Sequence, residues 1–204
     1  MFEGILHKLR VTLLLLKAVL SRGLIIDLGK ILSEHSIGDL VLDVAAGGSG
    51  TGPKILGGST VALDISVDEI KEAIKNKAKA IWVCADARTM PFRDYVFNWA
   101  VTFFGLMFIC KKEDKERVLR EILRVAKRVI LVEPVIKISS GDYLVKVQVL
   151  NKGKPLHKVY FGISGEGIKQ TPTLIEKIVT SIGASLKCTE RKGYFILRIY
   201  NSKQ

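Results

Sequence analysis

Leu40-Val41-Leu42-Asp43-Val44-Ala45-Ala46-Gly47-Gly48-Ser49-Gly50-Thr51-Gly52-Pro53 drives a short apolar run, broken by one acid, straight into a glycine-rich turn. Leu40 to Val44 reads as a buried strand, because apolar residues follow one another without helical spacing. The glycines that follow let a ligand press against the backbone, or let the chain adopt positive φ. Pro53 suits the first turn of a short helix, where its missing N–H costs nothing. Two phosphate-binding patterns fail here. The dinucleotide spacing G-x-G-x-x-G needs a third glycine where Pro53 stands. The ATP-cradling pattern, laid on residues 48–55, meets Pro53 where glycine is required and Ile55 where a hydroxyl should hold magnesium.

Outward from this turn the apolar pattern alternates between two periods. Residues 59–65 (STVALDI) form the next expected strand. Ser66 then stands as an N-cap, with Glu69 three residues on completing a capping box, and the helix runs through Ile70, Ile74 and Ala78. Residues 80–85 (AIWVCA) and 98–103 (NWAVTF) are the third and fourth strands. A strongly amphipathic helix over 113–127 turns Val118, Leu119, Ile122, Leu123 and Val125 to the sheet, and 128–133 (RVILVE) is the fifth strand. A helix from about 171 to 182 and two strands, 185–190 and 194–200, close the chain, the last two joined tightly enough to pair as a hairpin. Before the glycine turn, helices are expected over 5–20 and 24–33, so that residues 1–36 read as N-terminal helices. Residues 135–170, with alternating valines and then glycines, read as an inserted hairpin or lid. Strands apolar throughout and alternating with helices imply an α/β fold with a mostly parallel sheet covered on both faces. The length of 204 residues suits one domain over 1–204.

Three acids fall at the carboxyl ends of the first three strands: Asp43, Asp64 and Asp86. Ligands of open parallel sheets bind outside those ends, at the switch in strand order. A carboxylate at Asp64, at the second strand's end, is placed to accept both hydrogen bonds of a ribose diol. Asp86, one strand further, is placed to accept an adenine amine. The plainer readings are a turn-capping aspartate for Asp64, a loop-start hydrogen bond for Asp86, and simple core for Phe103, Phe104, Met107 and Phe108.

These stretches resemble the Rossmann-like S-adenosylmethionine-dependent methyltransferases. Val41-Leu42-Asp43-Val44-Ala45-Ala46-Gly47-Gly48 is similar to that family's first motif and Val61-Ala62-Leu63-Asp64-Ile65-Ser66 to its ribose motif. Ala85-Asp86-Ala87 followed by Met90-Pro91-Phe92 is similar to its adenine motif. Within the family the ubiquinone and menaquinone C-methyltransferase branch is the nearest likeness, through Pro91-Phe92, Phe97, Phe104-Gly105-Leu106 and Glu121-Ile122-Leu123-Arg124-Val125. The resemblance implies a three-layer α/β/α sandwich whose seven-stranded, mostly parallel sheet ends in an antiparallel hairpin. It implies S-adenosylmethionine as cofactor, held by Asp43, Ala45, Ala46, Gly47, Gly48, Asp64, Ile65, Asp86, Ala87 and Phe103, with no metal. Transfer by direct displacement would be implied, and no catalytic residue is assigned. The chain departs from the pattern at Ala45, where glycine is common, and at Ser49, unless Gly50 takes the last glycine's role. Asn98 replaces a usual acid, and Ala126-Lys127-Arg128 stands for the usual Lys-Pro-Gly-Gly turn.

Composition bounds the acceptor loosely. The net charge of +12 attracts polyanions, so an RNA or protein acceptor stands as the alternative to a small molecule. No Asn-Pro-Pro-Tyr-type tetrapeptide follows the fourth strand, where Thr102-Phe103-Phe104-Gly105 stands instead. A degenerate, non-enzymatic fold is the third reading, resting on the altered first motif and Asn98. Residues 11–20 (VTLLLLKAVL) are too short to span a bilayer, so no integral membrane segment is expected. Three scattered cysteines without metal-type spacing suggest a reducing, cytoplasmic setting. Of His7, His35 and His157, only His157, inside the insertion, merits a test as a base.

Overall fold

The structure is a computed structural model that describes residues 12–35, 37 and 40–200. Its larger sheet has seven strands in the order β4-β3-β2-β5-β6-β10-β9. They are β2 (Val41–Val44), β3 (Thr60–Asp64), β4 (Ile81–Cys84), β5 (Phe97–Phe103), β6 (Ala126–Pro134), β9 (Ser185–Arg191) and β10 (Tyr194–Tyr200). The first five in that spatial order run parallel, while β10 pairs antiparallel with both β6 and β9. The chain leaves β2 for β3 and β4 on one side, then crosses back to β5 on the other. That reversal opens a crevice beyond the carboxyl ends of β2 and β5.

One face of the sheet is covered by α5 (Lys112–Val125) and α6 (Pro172–Ser181). Val118, Leu119 and Ile122 of α5 and Ile175, Ile178 and Val179 of α6 pack on Leu42, Leu63, Leu131 and Phe195. Thr171 caps α6 through its hydroxyl, and Pro172 stands at the first helical position. The opposite face carries α2 (Leu28–Ser33), α3 (Thr51–Leu56) and, beside them, a second sheet of three strands. This second sheet has the order β1-β7-β8, with β1 at Leu24–Asp27, β7 at Ser140–Asn151 and β8 at Lys154–Glu166. The expected insertion over 135–170 is therefore a long antiparallel hairpin, and Ile26, Val147 and Val149 bury against Trp99, Val101 and Ile130. A further helix, α1, spans residues 12–20, and α4 spans Val67–Lys75.

Residues 24–27 correct the expectation of a continuous helix from 24 to 33. They form β1, parallel to β7 with Leu24 opposite Val147 and Asp27 opposite Leu150. Four apolar residues look alike in a helix and a strand, so local pattern cannot separate them. Asp27 decides the boundary. Its carboxylate caps α2 by accepting from the Lys30 N–H at 2.9 Å, and also accepts from the Lys152 and Gly153 amides of the β7–β8 turn at 2.9 and 2.7 Å. The expected start of the first helix at Ile5 and the break at Gly38-Asp39 lie outside the described residues. Among the described residues, no helix is long and apolar enough to cross a membrane.

Candidate functional site

The glycine turn is built on three residues with positive φ: Ala45 at 55°, Gly47 at 61° and Gly50 at 53°. Gly50 takes the role that Ser49 cannot. It is the N-cap of α3, and a Cβ there would overlap the Cβ of Ala78. Ala45 instead holds a left-handed conformation with a side chain, at a cost of roughly 1–2 kcal/mol. Gly105 makes room for it, since a Cβ on Gly105 would stand 2.9 Å from that of Ala45. Phe104, beside Gly105, is also held at positive φ, 59°. Two non-glycine residues in this region, both on the rim of one crevice, mark stored strain.

Asp64 is fixed by backbone. Its Oδ2 accepts from the Gly47 N–H and its Oδ1 from the Ser66 N–H, each at 2.9 Å. The second bond changes the expected capping box. The Ser66 hydroxyl does accept from the Glu69 N–H, at 3.2 Å. With the Ser66 amide already held by Asp64, the Glu69 carboxylate turns instead to the Gly48 N–H. The Asn76 side-chain amide donates to the Gly48 carbonyl at 3.0 Å, so α4 grips the turn from both sides. Glu69 is a site residue that sequence reasoning missed, because its spacing already fitted a capping role.

Beyond the strand tips lies a cavity of about 790 Å³. Asp43, Ala45, Ala46, Gly47, Gly48, Asp64, Ile65, Asp86, Ala87 and Phe103 all line it. So do residues without a sequence signal of this kind: Glu69, Arg88, Lys111 and Asp114, and the stretch from Val159 to Gly162 on β8. Sheet order sets the layout. Asp86 follows β4, Asp64 ends β3, Asp43 lies on β2, and Phe103 ends β5, so acids occupy one end and aromatic rings the other. Phe103, Phe104 and Phe161 form a cluster with centroids 4.8 to 5.6 Å apart, which joins the β8 wall to the end of β5.

The acids differ in state. Asp43 is buried, and desolvation, with repulsion from Asp64 second, pushes its pKa up to about 8. Gly52 gives that carboxyl its room, since a Cβ there would overlap Asp43 Oδ2. A buried acid kept neutral by desolvation is suited to a cationic ligand, whose charge would favour the ionised form. Asp86 is held below the usual carboxylate range by its hydrogen bonds with Arg88. The Arg88 guanidinium forks onto it, Nε at 3.0 Å from both oxygens and Nη2 at 2.6 Å, and also reaches Asp114 at 3.4 Å. The Arg88 backbone N–H also donates to Asp86 Oδ1 at 2.8 Å, so each Asp86 oxygen already accepts two N–H groups, and an adenine amine must displace one of them.

A buried network shapes the loop after β5. Glu133 accepts from the Thr102 hydroxyl at 2.6 Å, the Leu106 amide at 3.1 Å and the Gln170 amide at 2.9 Å. Lys115 donates to the Leu106 carbonyl and to Gln170 at 2.6 and 2.7 Å. Burial raises the Glu133 pKa and lowers that of Lys115 to about 8. No histidine lines the cavity among the described residues. His157 lies behind the turn, its Nε2 2.9 Å from the Thr51 hydroxyl, which in turn lies 2.9 Å from that of Ser49. It pins the β7–β8 hairpin to α3 and faces no acceptor space. His35 pairs with the Arg198 guanidinium at 2.6 Å, and His7 lies outside the described residues.

Comparison with known proteins agrees with this geometry. Residues 42–129 match a methyltransferase domain family. An uncharacterized protein of Methanocaldococcus jannaschii is 42% identical over 94 residues, 46% of this chain and 35% of that protein. A demethylmenaquinone methyltransferase of Renibacterium salmoninarum is 35% identical over 92 residues, 44% of this chain and 38% of that enzyme. The chain thus matches little more than a third of the length of these curated relatives. A crystal structure described as a SAM-dependent methyltransferase from Methanosarcina mazei superposes with a TM-score of 0.62 at 17% identity, covering 85% of this chain and 97% of that one. At that identity the likeness concerns the fold.

Proposed function

We infer that this chain, which carries a methyltransferase domain over residues 42–129 on a Rossmann-like sheet, is an S-adenosylmethionine-dependent methyltransferase acting on a small, largely apolar acceptor. One cavity at the switch in strand order, acidic at one end and aromatic at the other, is the observation behind this reading. Asp64, aligned by two backbone amides, accepts the ribose hydroxyls on its remaining lone pairs. Asp86 accepts the adenine amine in place of one of its Arg88 bonds, the shared Nε contact being the one most readily given up. Asp43 gives up its proton to face the positive charge of the bound sulfonium compound. The Gly47-Gly48 turn brings backbone close to the ligand, and Phe103 closes the space toward the acceptor. When bound, the cofactor supplies a methyl group on a sulfonium, open to in-line attack by the acceptor. The protein's contribution is to hold the two reactants in line and keep water out.

The acceptor end supports the small-molecule reading. Phe103, Phe108, Ile109 and Phe161 offer apolar and aromatic surface there, suited to a flat ring, with Phe104 buried behind them. The relative named as a demethylmenaquinone methyltransferase points the same way, toward a quinone-like acceptor. Asp43, Asp64, Glu69, Asp86 and Asp114 line the cavity against Arg88 and Lys111. Even with Asp43 protonated, four acids against two cations repel phosphate, which disfavours RNA at this opening despite the net positive charge. The free thiols of Cys84, Cys110 and Cys188 suit a reducing, cytoplasmic setting.

A transfer assay with methyl-labelled cofactor, run on cell extract split into lipid, small-molecule, RNA and protein fractions, tests the reading. Label is expected in the lipid or small-molecule fraction. Label confined to RNA or protein overturns the acceptor class. A protein that binds no S-adenosylmethionine overturns the whole proposal.

A further inference from the structure

Helix α1 shows water a surface that globular proteins usually hide. Leu13, Leu15, Leu16, Val19 and Leu20 are all exposed, Leu20 at 79%, while Ala18 is buried and Leu14 half-buried. At 3.6 residues per turn, the five exposed apolar side chains fill one arc of about 160°. Lys17 sits at the margin of that arc, and Leu14 and Ala18 lie on the opposite side. Ile25, one turn of chain later, is also exposed, at 58%. From residue 12 to residue 26 the sequence has two cations, Lys17 and Arg22, and no acid.

The helix is nonetheless docked to the body. Lys146 of β7 donates to the Val19 carbonyl at 2.7 Å and Ala18 is buried, while the Ser21 hydroxyl closes the helix's own end on the Ala18 carbonyl at 2.9 Å. Gly23 then lets the chain pass against β7, since a Cβ there would overlap the Lys146 carbonyl. Thus the exposed leucines belong to a held element with one covered side. They adjoin the same three-stranded sheet whose β8 borders the cavity.

We propose that α1 is a surface-docking helix for an anionic lipid bilayer, its leucine arc lying in the headgroup boundary with Lys17 and Arg22 meeting lipid phosphates. A wide apolar arc flanked by cations is the pattern of helices that lie in a membrane interface rather than cross it. Charge complementarity selects this occupant. A symmetric seam between two copies would bring Lys17 and Arg22 near their own counterparts, and Asp142, which lines a hollow beside Lys17, is a single acid already engaged by the Ser164 hydroxyl. An anionic surface pairs with them directly, and the net charge of +12 adds long-range attraction. The proposal does not depend on the methyltransferase reading.

Co-sedimentation with vesicles tests it, using equal parts phosphatidylglycerol and phosphatidylcholine against phosphatidylcholine alone. Two double variants are compared with the unaltered chain: Leu16→Ser with Leu20→Ser, which leaves the charge at +12, and Lys17→Ala with Arg22→Ala. The exposed positions predict unchanged melting curves. The unaltered chain is expected to pellet with anionic vesicles and far less with neutral ones. The serine variant should bind at least about tenfold more weakly. The alanine variant should lose about 25-fold, at roughly fivefold per cation. No binding to anionic vesicles at low salt, or equal binding by the serine variant, overturns the proposal. So does a dimer in light scattering that the serine variant dissolves while vesicles leave the protein in solution, which would assign the helix to a second copy.

Discussion

The two ends of the cavity are built in opposite ways. At the strand tips, Asp43, the glycine turn and Asp64 come from 22 consecutive positions, residues 43–64, and are held largely by backbone amides. At the aromatic end, Phe103 and Phe104 meet Phe161, a residue nearly 60 positions later on β8. That wall is held by ring contacts and by the bond from His157 to Thr51. One end is polar and local; the other is apolar and assembled from distant chain, and each holds one non-glycine residue at positive φ, Ala45 and Phe104. The difference suggests a division of labour, with cofactor recognition fixed by the sheet and acceptor recognition supplied by the added hairpin.

Substitutions that strike one end alone would break or sharpen that division. The largest effect is expected for Gly50→Ala. Positive φ and overlap with the Ala78 Cβ together cost about 3 kcal/mol, and the turn loses its shape. Chemical denaturation reads the loss, and calorimetry should find S-adenosylmethionine binding impaired with it. Phe161→Ala strikes the opposite end. It should cost about 2 kcal/mol of stability, since this ring is only partly buried. Acceptor turnover should fall more than tenfold while cofactor affinity moves less than threefold. Impairment of cofactor binding equal to that in Gly50→Ala would contradict the division.

Asp43 makes the polar end sensitive to pH. Its folded pKa of about 8 lies well above the roughly 4 of an unfolded aspartate. The folded state therefore holds the extra proton between those values. The resulting stability is full below pH ~4 and is lost as pH rises through about 8. A cationic ligand beside Asp43 favours the ionised form, so its affinity should rise with pH toward 8, by up to about tenfold per unit. Calorimetry in two buffers of different ionisation heat should detect proton release on binding, and Asp43→Asn should abolish it. The smallest effect is expected for Ala45→Gly, which relieves the left-handed strain and should stabilise the fold by roughly 0.5–1 kcal/mol. A fall in melting temperature would show that Ala45 carries no such strain.

The same contrast explains what could be read from sequence. The five parallel strands, the amphipathic helix α5 and the closing hairpin announce themselves through local periodicity, and all lie within two residues of their expected bounds. The acids and glycines of the polar end also speak locally. Leu24–Asp27 did not, because a strand at that place exists only through β7, more than 110 residues later. Glu69 was legible as a capping residue but not as the partner of Gly48, because that role depends on Asp64 having taken the Ser66 amide first. Arg88 carried no signal either: its fork onto Asp86 is set by the loop's own turn, and its reach to Asp114 needs the start of α5 brought beside the β4 tip. Phe161 and Tyr160 lie in a stretch legible as an inserted hairpin or lid, but which of its side chains face the cavity depends on the register of β8 against β7.

The central claim, that Asp64 is the pivot of a nucleoside-binding end independent of the hairpin, is tested most directly by calorimetric titration of S-adenosylmethionine into Asp64→Asn. Asparagine keeps the shape and one acceptor oxygen but removes the charge and the second acceptor. Affinity lower by about 100-fold, equivalent to roughly 2.7 kcal/mol, is expected, together with a stability loss of about 1–2 kcal/mol, because the new side-chain amide faces one of the two backbone N–H groups that Asp64 accepts from. Equal affinity in the variant and the unaltered chain would contradict that claim.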